Sequence, residues 1–142
     1  MPTEDPCVFC SIINGSAPAY RVYEDEATLA FLDIGPFTRG HTLVVPKIHA
    51  RTLLDMAPER AGRLMESVAR VAGLLRDALT PDGFTLLQAN EPAGWQTVFH
   101  VHVHVIPRWA GDGIAPPANP SRPPDDLAGV ARQILASGAV PD

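Results

Sequence analysis

Between residues 58 and 79 apolar side chains return at steps of three and four: Leu64, Val68, Val71, Ala72, Leu75 and Leu79. That spacing lays one apolar stripe along a helix. Asp55 or the Ala57-Pro58 step starts it, and Thr80-Pro81-Asp82-Gly83 stops it. Elsewhere the pattern is strand-like. Residues 21–24 and 28–32 predict two strands joined by the charged turn Asp25-Glu26, a hairpin. Residues 42–45, between Gly40 and Pro46, predict a third strand. Residues 84–89 and 98–106 predict two more, joined by a loop over 90–95. A short helical or turn segment is expected over 7–14, ended by Asn14-Gly15. Residues 125–136 put Leu127, Val130, Ala131, Ile134 and Leu135 on one face of a short C-terminal helix. The Pro- and Gly-rich tract 111–124 has no period and reads as a loop or linker. The sum is an α+β fold: about five strands in a mostly antiparallel sheet, one main helix, and a short helix at each end. The expected organisation is a domain over 1–110, with the 111–142 loop and helix packed on it.

Bulk numbers narrow the class. A chain of 142 residues suits one domain with one real core. A net charge of −5 argues against a nucleic-acid-binding surface, so an anionic substrate must be gripped by local donors. No apolar run is long enough to cross a bilayer, and the start Met1-Pro2-Thr3-Glu4-Asp5 is neither basic nor apolar. A cytoplasmic protein with no membrane partner is expected. In that setting the pair Cys7-Val8-Phe9-Cys10 points to metal or redox chemistry more than to a structural disulfide.

His and Val alternate strictly from His100 to Val105. Successive side chains of a strand point to opposite faces, so His100, His102 and His104 share one face at ~6.6 Å intervals. Val101, Val103 and Val105 then face the main helix. A half-exposed strand whose polar face happens to be His is the plain alternative. Three of five histidines on one face point to a site instead, because clustered titratable groups usually mark one. A zinc ion held by all three is poorly supported, since one straight strand spreads these donors over ~13 Å.

The run His100-Val101-His102-Val103-His104-Val105-Ile106 resembles the signature of the histidine-triad (HIT) family. Its surroundings resemble that family too: Gln96-Thr97-Val98-Phe99 before it, Pro107-Arg108 after it, and Phe31-Leu32-Asp33-Ile34 with Gly40-His41-Thr42-Leu43-Val44-Val45-Pro46-Lys47 upstream. The likeness runs from about Cys7 to Arg108 and does not cover the tail after Gly111. It implies a HIT-like fold and a nucleotide-binding hydrolase. Such an enzyme cleaves at the α-phosphate of nucleoside phosphoramidates or dinucleoside polyphosphates through a covalent nucleotidyl-histidine. A nucleotidyltransferase or phosphorylase of the same superfamily is the near alternative. Its sugar-phosphate branch typically has Pro between the first two His and lacks the third, so Val101 and His104 speak against it. A non-catalytic nucleotide- or partner-binding module is the alternative from another class.

By this resemblance His102 is the nucleophile. A neutral imidazole attacks phosphorus well at pH 7, and the resulting phosphoramidate passes readily to water. Its other ring nitrogen should donate to a fixed acceptor, in the family a backbone carbonyl near the first His. His104 matches the residue that hydrogen-bonds the phosphate, and His41 matches an upstream His that completes the network. Asn90, Gln96 and Thr97 match phosphate donors, and Asp33 a ribose ligand. Val8, Phe9, Phe31 and Ile34 match the walls of the base site, although composition alone would read them as core. Trp95 departs from the pattern, standing where the family often has Gly. Cys7, Cys10, His49 and His100 resemble the ligands of a structural zinc in bacterial members, a closed tetrahedral site. No organic cofactor is implied. Family members are usually homodimers with continuous sheets, so a homodimer is expected.

Overall fold

The apolar stripe forms helix α2 (Pro58–Leu79), which buries Leu64, Val68, Val71 and Leu75. At roughly 1.5–3 kcal/mol for each fully buried aliphatic side chain, that stripe is a large share of what fixes the fold. The helix opens with Pro58 in its first turn and ends at Thr80, whose left-handed φ of 50° lets its N–H reach the Arg76 carbonyl. The computed structural model describes residues 6–115 and 126–138. The chain divides into two compact units, Met1–Asp112 and Gly113–Asp142.

The first unit is a five-stranded antiparallel sheet with helices on both faces. Its strands are β1 (Arg21–Glu24), β2 (Thr28–Leu32), β3 (Thr42–Pro46), β4 (Gly83–Leu87) and β5 (Val103–Arg108), in the order β1-β2-β3-β5-β4. The β1–β2 hairpin closes on Asp25, whose carboxylate accepts the Ala27 and Thr28 N–H groups at 2.9 Å each. Alternation divides each inner strand between two cores. Ala30, Val44, Val101, Val103 and Val105 pack against α2. Leu29, Phe31, Leu43 and Val45 pack on the other side with Phe9 and Ile12 of α1 (Val8–Ile13).

The second unit contributes α3 (Leu127–Ala136), capped by the Asp126 carboxylate on the Gly129 N–H at 3.2 Å. Residue 125, the expected start of this helix, and 116–124 of the Pro-rich tract lie outside the described residues. Among the described residues, no helix is long and apolar enough to cross a membrane.

Several boundaries differ from the sequence reading, most by one or two residues. The fourth strand is Gly83–Leu87, so 88–89 leave the sheet; there the Gln88 amide turns to Asn90. Short 3-10 turns occupy Leu53–Asp55 and Pro92–Gly94, which periodicity cannot register. The largest difference is that β5 begins at Val103, not at 98. Residues 98–102 cannot continue the ladder because Pro46 has no N–H to offer. The His100 ring takes the Pro46 carbonyl at 2.9 Å, and the Val101 N–H goes to the Ala50 carbonyl at 2.8 Å.

Gly40 makes the turn that delivers His41 into β3. Its φ is +85°, and a Cβ there would run into the Leu79 Cδ1 methyl. Leu79 can rotate away, but the left-handed backbone remains costly for any L side chain. Gly40→Ala should therefore lower the unfolding free energy by roughly 1–3 kcal/mol in urea, with an unchanged m-value. Wild-type stability in that variant would refute the assignment of strain to this turn.

Candidate active site

All five histidines of the chain lie on the α1 side of the sheet or at its margin, in two adjoining groups. His104 of β5 and His102, just before it, have ring centroids 4.9 Å apart. His100 and His102 are buried, as is His41. Phe9 of α1 packs edge-on against both His100 and His102, with centroids 5.9 and 5.1 Å away.

Hydrogen-bond partners fix where each imidazole keeps its proton. His102 Nδ1 lies 2.7 Å from the His100 carbonyl, which can only accept. Nδ1 therefore carries the hydrogen, and Nε2 is left with a free lone pair. His41 Nδ1 accepts the Phe37 N–H at 3.0 Å, so its proton is on Nε2. That Nε2–H donates to His104 Nδ1 at 2.8 Å, which puts the His104 proton on Nε2. Asp33 sits beside this pair, with its Oδ2 3.5 Å from His41 Nε2 and 4.0 Å from His104 Nδ1. The result is one bare nitrogen, on His102, next to one N–H donor, on His104.

Burial keeps these rings neutral. It lowers the pKa of His102 below the ordinary histidine value and carries His104 down to about 4, helped by His102 and His41 and opposed by Asp33. His41 shifts the same way, through burial acting against the Asp33 charge.

The second group is Cys7, Cys10, His49 and His100, whose ligand atoms all lie within 4.8 Å of one another. His100 Nδ1 is 3.4 Å from Cys7 Sγ, 3.6 Å from Cys10 Sγ and 3.2 Å from His49 Nδ1. Cys10 Sγ is 3.4 Å from His49 Nδ1. A tetrahedral ion with bonds of about 2.3 Å to sulfur and 2.0–2.1 Å to nitrogen requires edges of roughly 3.3–3.8 Å. The donor set therefore fits such an ion. His100 gives its Nε2–H to the Pro46 carbonyl, the arrangement that frees the other ring nitrogen for a metal. The Cys10 N–H donates to Cys7 Sγ at 3.3 Å, which suits a thiolate. Without a cation, burial and the adjacent Cys7 push the Cys10 thiol up to about 11.

The other candidates from the sequence divide. Phe9 and Phe31 are buried and pack edge to face at 5.4 Å, with Phe9 against His102 and Phe31 against Phe9. Val8 and Ile34 lie on the surface, Ile34 at 91% exposure. Thr97 is exposed on the loop before the histidines. Gln96 is buried and fully engaged within that loop: it accepts the Glu91 N–H at 2.7 Å and donates to the Arg51 and Val98 carbonyls at 2.7 and 3.0 Å. Asn90 likewise accepts the Leu53 N–H at 2.8 Å and donates to Gln88 at 2.6 Å. These two amides shape the loop, and the exposed Thr97 and Trp95 carry side-chain donors on it. Trp95 has φ 78°, ψ 15°, the left-handed geometry that Gly adopts freely. The indole therefore strains the turn by roughly 1–2 kcal/mol while keeping its shape.

Sequence reasoning missed Arg51 and Glu91. Glu91 holds φ 65°, ψ 162°, a region nearly restricted to Gly. It is tied down by a forked ion pair to Arg51 at 2.9–3.2 Å, and Arg51 also lies 4.2 Å over the Phe99 ring. The two residues are 40 positions apart, and nothing local in either segment announces the pair.

With this geometry in view, comparison with known proteins is specific. The HIT domain matches residues 14–111. Adenosine 5'-monophosphoramidase hnt1 of Schizosaccharomyces pombe is 35% identical over 131 residues, 90% of this chain and 95% of that protein. The crystal structure of a HIT family protein from Bacillus anthracis superposes with a TM-score of 0.86 at 38% identity, over 96% of this chain and all of that one. A zinc-bound histidine triad family protein from Mycobacterium smegmatis is 47% identical, with a TM-score of 0.75 over 82% of this chain and 85% of that one.

The neutral His104 has a consequence for stability. Its folded pKa, about 4, lies below the 6.5 of an ordinary histidine. Its contribution is therefore complete above pH 6.5 and is lost as pH falls toward 4, where the folded ring must charge. Urea unfolding across that window should show a fall in stability that is shallower in His104→Gln. Identical pH dependence in the two proteins would contradict the assignment.

Proposed function

This chain belongs to the histidine-triad family, and on that premise we propose that it is a nucleotide-binding hydrolase that cleaves at an α-phosphate through a nucleotide covalently held on His102. The observation that carries this reading is the bare Nε2 of His102, held by the 2.7 Å bond from Nδ1–H to the His100 carbonyl. Nε2 forms a bond to phosphorus while the bond to the leaving group breaks. His104 Nε2–H is a placed donor for the phosphate oxygens and the departing atom, and His41, with Asp33 beside it, fixes that donor's tautomer. Water then attacks the same phosphorus, releasing a nucleoside monophosphate and returning His102 to its starting state.

The substrate class is nucleoside phosphoramidates or dinucleoside polyphosphates. Likeness to the S. pombe phosphoramidase supports the first. Recognition falls to Thr97 and the backbone N–H groups of the loop that Gln96, Asn90 and the Arg51–Glu91 pair hold in shape. Asp33 is read as a ribose ligand as well, since its Oδ1 accepts only the Gly35 N–H at 2.8 Å and lies at the edge of the histidine cluster.

We further read the Cys7, Cys10, His49 and His100 group as a structural zinc site. The tetrahedral spacing and the zinc-bound relative from M. smegmatis both support it. Four protein ligands close the coordination sphere, so the metal supplies stability and takes no part in the bond changes.

Two measurements test these readings. His102→Ala should lower turnover of an adenosine phosphoramidate by at least about a thousandfold while nucleotide affinity stays within severalfold. Wild-type protein quenched during turnover should carry the nucleotide on His102. Equal activity in the variant, or no labelled histidine, would sink the nucleophile assignment. Metal analysis of the purified protein should find about one zinc per chain; metal-free protein with both thiols freely reactive would refute the site.

A further inference from the structure

The metal cluster and the nucleophile share two physical links. The first is His100 itself. Its ring joins Cys7, Cys10 and His49, while its main-chain carbonyl accepts the His102 Nδ1–H at 2.7 Å. That carbonyl decides which nitrogen of His102 is bare. The second link is Phe9, which stands between the two cysteines in sequence. Its ring packs edge-on against His102 at 5.1 Å and against His100 at 5.9 Å. Apart from the cluster, the Cys7–Cys10 turn is anchored by apolar packing of Cys7, Phe9 and Ile12 on Leu29, Phe31, Leu43 and Val45, which sets depth but no hydrogen-bond direction. Cys7 caps the first turn of a helix only six residues long. Residues 98–102 lie outside the β-ladder, so the peptide that carries the His100 carbonyl is held on the backbone side by the single bond from the Val101 N–H to the Ala50 carbonyl at 2.8 Å.

We propose that the Cys7–Cys10–His49–His100 cluster, when it holds its metal, is the positioning device for the nucleophile: it aims the His100 carbonyl at His102 Nδ1 and presses Phe9 against the His102 ring. His100 and Phe9 are thus positioning residues for the reaction, and the metal contributes more than stability. This rests on the reading of His102 as nucleophile. It differs from a purely structural site in one respect. A structural site sets how much protein is folded, whereas a positioning site also sets how the folded protein behaves.

The test compares zinc-loaded and chelator-treated protein labelled with 15N-histidine, with the His102 signals assigned from His102→Ala. The loaded protein should show the His102 proton on Nδ1 only. Removal of zinc should give a mixture of tautomers, and kcat should fall about 10- to 100-fold with KM changed by less than about threefold. Added zinc should restore both. An unchanged His102 tautomer and unchanged kcat in folded, metal-free protein would overturn the proposal, even if that protein melts at a lower temperature. Should the metal-free protein unfold, Phe9→Leu decides, since it keeps all four ligands. With metal content intact, its kcat should fall severalfold and its His102 tautomers should mix, whereas wild-type values for both would overturn the proposal. If the loaded enzyme turns over no nucleotide at all, the hydrolase reading fails, and the tautomer comparison still decides the positioning one.

Discussion

A buried imidazole must have both of its nitrogens accounted for, and this constraint organises the site. An unpaired N–H or lone pair in a dry interior costs on the order of 1–3 kcal/mol. The protein buries several such rings side by side, and three of their protons have a fixed acceptor. The Pro46 carbonyl takes the His100 proton, the His100 carbonyl takes that of His102, and His104 takes that of His41. Among the described residues, no buried side-chain nitrogen or oxygen lacks a partner. Function enters as the exceptions that such bookkeeping leaves over: a lone pair on His102 and an N–H on His104.

The sheet makes this arrangement affordable in energy. On one face the Val101, Val103 and Val105 side chains join the α2 stripe in a dense apolar core. On the other face the same segment presents the polar rings, flanked by Phe9 and Phe31. Burial of one face offsets the desolvation of the other. The segment that carries the histidines is therefore also held by packing on its opposite face.

Much of this was legible in the sequence because periodicity and packing agree. Steps of three and four gave α2 with its observed ends, the charged turn between two strand-like runs gave the hairpin that holds β2, and alternation gave the division of the histidines from the valines. The grouping of Cys7, Cys10, His49 and His100 followed from resemblance, and their geometry agrees with it. What escaped was set by tertiary partners. Nothing in Val98-Phe99-His100 says that a missing N–H on Pro46, 54 residues away from His100, ends the strand early. Gln96 matches a phosphate donor by resemblance, yet its amide is consumed by Glu91, Arg51 and Val98. Trp95 keeps a glycine-like turn, an outcome that depends on the loop around it more than on its own preference.

The alternation of His with Val also constrains how this protein can change over time. Exchange of one side chain at a time leaves the faces of the segment in place. Insertion or deletion of a single residue between positions 100 and 105 reverses them downstream, sending imidazoles into the α2 core and valines toward Phe9. One such event would displace the imidazoles together with the packing that holds them. The segment is open to drift by substitution and closed to drift in length, so descendants of this chain should vary in spacing only outside it.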